Sequence, residues 1–271
     1  MKIYEQDFRR IADYMLSNYG INLENKMTLI SGRLSNLVMK SKFQNMHDYI
    51  EYMLGDPTEE EVSLLVAKLT TNYTFFMREP QHYEFLEKTV LPGITARNKL
   101  GELKIWSAGC SSGEEPYSIA ITVKKYLEST EGKWSSKILA TDISDNVLKQ
   151  ARLAVYDDMQ IKTLEQYSKE RYFTGLPNGQ HRVSDEIKQM VRFEKFNLMN
   201  DFSRFHRKFD IIFCRNVMIY FKTETKQALA GKFYDMLEPG GYFFVGLSET
   251  LYNIDTRFKF IKPAIYQKPI N

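Results

Sequence analysis

The sequence predicts a mostly parallel α/β domain preceded by a small all-helical one, and three observations carry that prediction. From about residue 100 onward, short apolar runs alternate with longer amphipathic stretches, the pattern of βαβ units. Residues 1–71 show helical spacing only, with a single glycine before Gly32. The length of 271 residues suits one large domain or two unequal ones, at roughly 150 residues per domain.

Taken in order, the first helix is marked by Phe8, Ile11, Leu16 and Tyr19, and the second by Leu29, Ile30, Leu34, Leu37 and Val38. Tyr49, Tyr52, Met53 and Leu54 mark a third. Val62, Leu64, Leu65, Ala67 and Leu69 mark a fourth, with Thr58 as its N-cap and an acidic first turn. Residues 72–100 form a linker with a helix around 83–90, followed by Leu91-Pro92-Gly93. Residues 101–271 form the α/β domain. Strands are expected at 103–106, 137–140, 191–193, 210–213 and 242–246, and helices at 118–126, 145–151 and 223–237. Residues 156–190, with Gly175, Pro177, Gly179 and many charges, interrupt the alternation as an insert.

Composition narrows the class. Apolar residues at 43% and charged residues at 26% are globular values. The net charge of +3 is far below that of a dedicated DNA-binding domain. Two cysteines, Cys110 and Cys214, are too few for a disulfide framework or a structural zinc site, so no metal is expected. No apolar run approaches the ~18 residues of a membrane span, and the N-terminus has no apolar signal region. A reduced, cytoplasmic protein that inserts into no membrane is expected.

The strongest local signal is Ile105-Trp106-Ser107-Ala108-Gly109-Cys110-Ser111-Ser112-Gly113-Glu114-Glu115-Pro116, a strand running through small residues into a helix. Small residues let a ligand approach the backbone beside helix N–H groups, although tight strand-to-helix turns use glycine in any case. Gly113 is followed by Glu114, not by the lysine of a P-loop. The spacing Gly109-x-x-x-Gly113 fits a dinucleotide fingerprint poorly. Two acids at the helix entrance repel a pyrophosphate and suit a cationic, phosphate-free ligand such as S-adenosylmethionine (SAM). Asp142 ends the next strand, where a carboxylate can accept both ribose hydroxyls. Its alternative is an N-cap, for which Ser144 is better placed. Arg215 and Asn216 follow the apolar run 209–214, at the strand end where open α/β sheets bind ligands.

With these segments in order, the chain resembles the CheR-type chemotaxis receptor methyltransferases over nearly its full length. The matching residues are Leu69-Thr70-Thr71-Asn72-Tyr73-Thr74-Phe75-Phe76-Met77-Arg78-Glu79, Ser112-Gly113-Glu114-Glu115-Pro116-Tyr117-Ser118, Thr141-Asp142-Ile143 and Phe213-Cys214-Arg215-Asn216-Val217-Met218-Ile219-Tyr220-Phe221. Gly246-Leu247-Ser248-Glu249 agrees as well. The resemblance implies a Rossmann-like class I SAM methyltransferase domain with a small β-subdomain insert, preceded by a helical receptor-recognition domain. The implied reaction is methyl esterification of glutamates on the cytoplasmic coiled-coil region of chemotaxis receptors, with S-adenosylhomocysteine as product. The implied cofactor contacts are Asn72, Thr74, Arg78, Gly109, Glu115, Asp142, Asn197, Leu198, Asn216 and Val217. Arg78 and Tyr220 are implied to lie closest to the transferred methyl.

A glutamate carboxylate, with a reference pKa of about 4.3, is ionised at neutral pH and needs no general base. Arg78 would hold a carboxylate in a fork; its alternative is an ion pair with Glu79 or Glu84. Tyr220 would aim its hydroxyl at the reacting centre; its alternative is core packing. His47, His82, His181 and His206 are expected on the surface or in loops, and both cysteines are expected to pack as small apolar groups. Lys26, Arg33 and Lys40 are spaced by seven, which on a helix forms one basic stripe suited to an acidic coiled coil. The same stripe could touch phosphates, or be no more than a solvated face. A nucleic-acid methyltransferase is disfavoured because Arg215-Asn216-Val217-Met218 lacks the Pro-Pro-aromatic loop of amino-methylating enzymes. A SAM- or receptor-binding scaffold without turnover is disfavoured by the intact Asn72, Arg78, Asp142 and Tyr220. The expected partners are receptors, with no nucleic acid and the chain acting as a monomer. The short turn Pro177-Asn178-Gly179 predicts independence from a tethering receptor pentapeptide.

Overall fold

The computed structural model describes residues 2–70, 73–98, 101–252, 254 and 256–270. The N-terminal part holds four helices, α1 (Glu5–Tyr19), α2 (Met27–Val38), α3 (Met46–Gly55) and α4 (Glu59–Leu69). Thr58 caps α4: its hydroxyl accepts from Glu61 N while the Glu61 carboxylate accepts from Thr58 N, a reciprocal capping box. The apolar stripes point inward, with two exceptions. Leu29 of α2 is 50% exposed and Leu64 of α4 is 37% exposed.

Next come α5 (Pro80–Phe85), a π turn over Leu86–Val90, and α6 (Leu91–Arg97), running as one helical stretch. The sequence places Leu91-Pro92-Gly93 after the helix, yet the helix continues. Pro92 sits in the first turn after the π turn, where its missing N–H costs little.

The α/β part contains β1 (Glu102–Ala108), α7 (Glu114–Glu128), β2 (Ser135–Asp142) and α8 (Asp145–Leu153). The insert follows, with β3 (Val155–Asp157), α9 (Gln166–Tyr172), β4 (Phe173–Leu176), β5 (Gln180–Val183) and α10 (Asp185–Lys188). The chain then returns through β6 (Val191–Lys195), β7 (Phe209–Cys214), α11 (Thr223–Met236), β8 (Leu237–Val245), β9 (Lys259–Lys262) and β10 (Ile265–Gln267). The main sheet has the order β6-β2-β1-β7-β8-β10-β9, parallel from β6 to β8, with β10 antiparallel to both its neighbours. The insert forms its own antiparallel sheet, β3-β5-β4. Gly246 falls just past β8, which instead starts at Leu237. Strands β9 and β10 have no counterpart in the sequence reading, because runs of four and three residues are too short to show a period.

β1 is the switch point. The chain proceeds to one side of it through β2 and β6 and to the other through β7 and β8, leaving a crevice at the carboxyl ends of β1 and β7. Two large apolar clusters flank the sheet, Trp106 belonging to one and its neighbour Ile105 to the other. Trp106 is fully buried amid Phe196, Phe202, Phe205, Phe209 and Phe233, with ring centroids 4.7–6.0 Å away. The same apolar cluster includes Ile11, Met15, Leu34 and Met53, so the helical part is packed onto the sheet. Among the described residues, no helix is long and apolar enough to cross a membrane.

Candidate functional site

A cavity of about 470 Å³ opens at that crevice, and its opposite wall is α2 with the segment after α4. Its floor requires glycine at position 109. Gly109 has φ of +89°, and a Cβ there would stand 2.3 Å from Val217 Cγ2. Gly109 N and Cys110 N both donate to Thr141 O, which fixes the loop against β2.

Asp142 lines the cavity from the end of β2. One carboxylate oxygen accepts from Ser111 N at 2.9 Å and the other from Ser144 N at 3.0 Å. No cation pairs with it among the described residues, and burial pushes its pKa up. A carboxylate in that condition is stabilised by neutral donors such as vicinal hydroxyls. Ser144 occupies the N-cap position of α8, but its hydroxyl does not cap the helix. Ser63 of α4 does so instead, accepting from Asp145 N at 2.9 Å. Lys195, between Glu59 (3.0 Å) and Asp145 (2.7 Å), and the Lys149–Glu60 pair fasten α4 to the same loop.

The two acids of α7 do not both face the ligand, which corrects the electrostatic reading of the sequence. Glu114 is fully buried and turned toward the insert, where Ser112 Oγ and Gln160 Nε2 donate to it. Glu115 lines the cavity, accepting from Ser107 Oγ at 2.7 Å and Arg215 at 3.0 Å. Arg215 does not emerge as a free side chain either. It is 1% exposed and bridges Glu115 to Glu79 (3.2 Å), donating also to Tyr83 Oη and to the carbonyl of Arg78. Within the cavity Arg215 and Glu115 form a neutral pair, and Glu79 compensates Arg215 from behind the lining.

The loop after β7 is held by Glu249, a buried carboxylate that accepts from Asn216 N (2.6 Å), Gly246 N (2.6 Å) and Ile219 N (3.0 Å). These bonds keep Asn216 at φ of +58°. Asn216, Val217 and Tyr220 all line the cavity. Tyr220 sits in a short turn whose carbonyl accepts from Asn22 N at 2.8 Å, and Lys26 Nζ lies 5.5 Å from its ring.

Thr74 and Arg78 line the cavity from the segment after α4. Arg78 Nη1 donates to Tyr73 O at 2.9 Å, and Arg78 makes no ion pair among the described residues. Glu79 pairs with Arg215 and Glu84 with Lys88, so the surface-pair alternative does not hold. Asn197 and Leu198 line the cavity too, and the Asn197 amide is engaged with Asn18 O and Met199 N. Asn72 lies outside the described residues.

The basic stripe is shorter than the heptad spacing suggests. Lys26 and Arg33 line the cavity with Leu29, while Lys40 lies past the end of α2, exposed. Arg33 donates to the carbonyls of Leu69 and Thr70, which ties α2 to the end of α4. Cys110 and Cys214 are buried, and burial pushes both thiols well up, so neither supplies a thiolate.

His82 corrects the expectation of surface histidines. It is fully buried in α5, edge-on to Phe244, with Nδ1 3.5 Å from Glu79. Burial first, and then the charge of Arg215, push its pKa down to about 4. The unfolded chain therefore binds a proton at this position as pH falls below about 6.5, and the folded chain does not until about 4. Stability drains away across that window, by roughly 3 kcal/mol at this position. The buried carboxyls Asp142, Glu115 and Glu249, pushed up by burial, act in the opposite direction. The check is therefore a difference. Urea unfolding of wild type and His82→Leu between pH 7 and 4 should show the wild type losing about 3 kcal/mol relative to the variant. Parallel curves would remove His82 from the acid limb.

Sequence reasoning missed Glu79 and Glu249 as parts of the site, and it placed Arg215 at the strand end without its buried pairing. For Glu79 and Glu249 the available signal was their place inside matched segments; the partners of all three are remote in the chain. A fit for SAM rests on the Asp142 carboxylate, which lines the cavity with no cation beside it among the described residues, the Cβ-free floor at Gly109 and the Glu115 carboxylate held at the cavity wall.

Residues 72–266 match a family model described as the CheR methyltransferase SAM binding domain, and residues 6–70 one described as the CheR methyltransferase all-alpha domain. The chain is 40% identical over 272 residues to a chemotaxis protein methyltransferase of Borreliella burgdorferi, covering 99% of this chain and 96% of that one. It is 35% identical to one from Vibrio parahaemolyticus, covering 98% of each. It is 34% identical to one from Salmonella typhimurium, covering 98% of this chain and 91% of the relative.

Proposed function

The chain belongs to the CheR methyltransferase family, with SAM as its cofactor, and we propose that it methylates glutamate side chains of methyl-accepting chemotaxis receptors. The products are glutamyl methyl esters and S-adenosylhomocysteine. The observation that carries this reading is the shared cavity. Strand-end loops bearing Asp142 and Asn216 and the α2 wall bearing Lys26 and Leu29 face one space, which supports a site open to a cofactor on one side and a protein substrate on the other.

Bound SAM supplies a methyl group on a positive sulfonium. Asp142 would hold the ribose hydroxyls, and Gly109 and Val217 would frame the floor beside them. Glu115, fixed by Arg215 and Ser107, would face the cationic part. Arg78 would orient a carboxylate, and Tyr220 would place its hydroxyl over the reacting centre. No general base is required, because the acceptor carboxylate is already ionised. The task of the residues is alignment and exclusion of water.

Asp142→Ala should weaken SAM binding by roughly 1–3 kcal/mol, the scale of hydrogen bonds to a charged group. Calorimetry checks it, and an unchanged Kd would take Asp142 out of the ribose site.

On the substrate side, Lys26 and Leu29 form the wall that a receptor helix would approach. Lys26→Glu should raise the KM for receptor without altering SAM affinity, and the wild-type KM should itself rise with salt. A salt-insensitive KM would reduce Lys26 to a partner of the Tyr220 ring. Arg33 is a poorer probe, since its reversal also unties α4.

We assign the protein to the cytoplasm, as a monomer recognising the methylation region directly. In the insert, β4 and β5 are joined by the tight turn Pro177–Gly179, with Asn178 and Gly179 at positive φ. That leaves no long glycine-rich loop for a tethered pentapeptide to dock against. The deciding experiment is transfer of labelled methyl from SAM to receptor or to RNA, followed by alkali. Base-labile label on the receptor supports the reading. Label on RNA, or none on either, overturns it.

A further inference from the structure

We infer that Gln160 of the insert is a positioning residue for the SAM cavity, an inference that rests on the cofactor reading of that cavity. All of its hydrogen-bonding groups are engaged, with three segments. Its Nε2 donates to Glu114 Oε1 at 2.7 Å, and its Oε1 accepts from Asp157 N at 3.1 Å. Its backbone N donates to Asp157 Oδ1 at 2.8 Å, and its carbonyl accepts from Phe76 N at 3.3 Å. Phe76 lies between Thr74 and Arg78, and Glu114 immediately precedes Glu115. One side chain of the insert thus reaches the start of α7 while its backbone holds the segment that carries Arg78.

Neighbouring contacts act in the same sense. Thr163 Oγ1 donates to the carbonyl of Phe76, and Tyr156 Oη to the carbonyl of Ser112. The fully buried Phe76 ring meets Tyr156 at 4.9 Å and Phe173 at 5.4 Å, both edge-on. Gly113 leaves no slack, since a Cβ there would lie 2.7 Å from Tyr156 Oη. The insert is therefore a buttress of the cavity as well as a surface feature.

Glu114 gives the inference its energetics. Its carboxylate is fully buried with no cation partner among the described residues, and it depends on Ser112 Oγ and Gln160 Nε2. A buried carboxylate that loses one of two donors turns to find another, and Glu115 beside it moves too.

The test is SAM calorimetry on the full chain at pH 8 and pH 6, with thermal unfolding of each variant. Gln160→Leu should raise the SAM Kd about tenfold at both pH values. Gln160→Glu should raise it at least as much at pH 8, because two carboxylates would stand at hydrogen-bond distance. It should return toward the wild-type value at pH 6, because such a pair shares one proton. The titratable groups facing this position are Glu114, Asp157, Tyr156, Tyr117 and Cys110. The two phenols and the thiol are pushed above their ordinary range by burial, so they do not titrate in this window. Folded variants with wild-type Kd at both pH values would overturn the inference. So would a Gln160→Glu loss identical at pH 8 and pH 6, which is the mark of packing alone. If Gln160→Glu does not fold, a raised Kd in Gln160→Leu supports the inference and an unchanged one overturns it. A wild type that binds no SAM would bring down the cofactor reading itself.

Discussion

Arg215→Met is expected to destabilise the fold by about 3–5 kcal/mol, the cost of breaking a buried charge network by removing one partner. The side chain is 1% exposed, and its removal leaves the Glu79 and Glu115 carboxylates facing each other with their common cation gone. Tyr83 Oη and the Arg78 carbonyl lose a donor at the same time. Denaturant midpoints measure the loss. Changing Glu79 and Glu115 to Gln in the same chain should recover much of it, because the uncompensated charges are then gone. A single variant as stable as wild type would mean that water reaches the network and screens it. The function should fall with the stability. Arg215 joins the end of β7 to the Arg78–Glu79 backbone, so SAM affinity should drop even in the folded fraction.

Arg78→Lys is expected to lower kcat on the order of a hundredfold, nearly as far as Arg78→Ala, since a misplaced positioning group costs that much. Arg78 lines the cavity, makes no ion pair among the described residues, and is anchored through Tyr73 O. A lysine keeps the charge and loses the fork. Tyr220→Phe should lower kcat while leaving the SAM Kd in place, because only the hydroxyl is removed and the ring stays beside Lys26. Single-turnover methyl transfer separates the two quantities. Full activity of the Lys variant would sink the fork, and an unchanged kcat in the Phe variant would return Tyr220 to a packing role.

The Thr58 N-cap, the small-residue turn at Gly109, the apolar run 209–214 and the alternation of strands and helices were legible because each is written in the type or spacing of neighbouring residues. Backbone conformation at those places is decided by neighbours: a cap three residues away, a φ only glycine takes cheaply, a period of two or of 3.6. Sequence also carried the family, since matched segments in a fixed order are a property of the chain. The tertiary structure alone decided how charges are used. Glu249 meets Asn216 across 33 residues, Gln160 meets Glu114 across 46, and Arg215 meets Arg78 across 137. No local pattern says which of two adjacent acids turns toward a ligand and which is buried behind it, as Glu115 and Glu114 are. Likewise nothing local distinguishes His82, buried against Phe244, from a surface histidine. Burial and pairing are set by which remote segment packs on top, and that is fixed only when the sheet closes and the helical part and the insert pack against it.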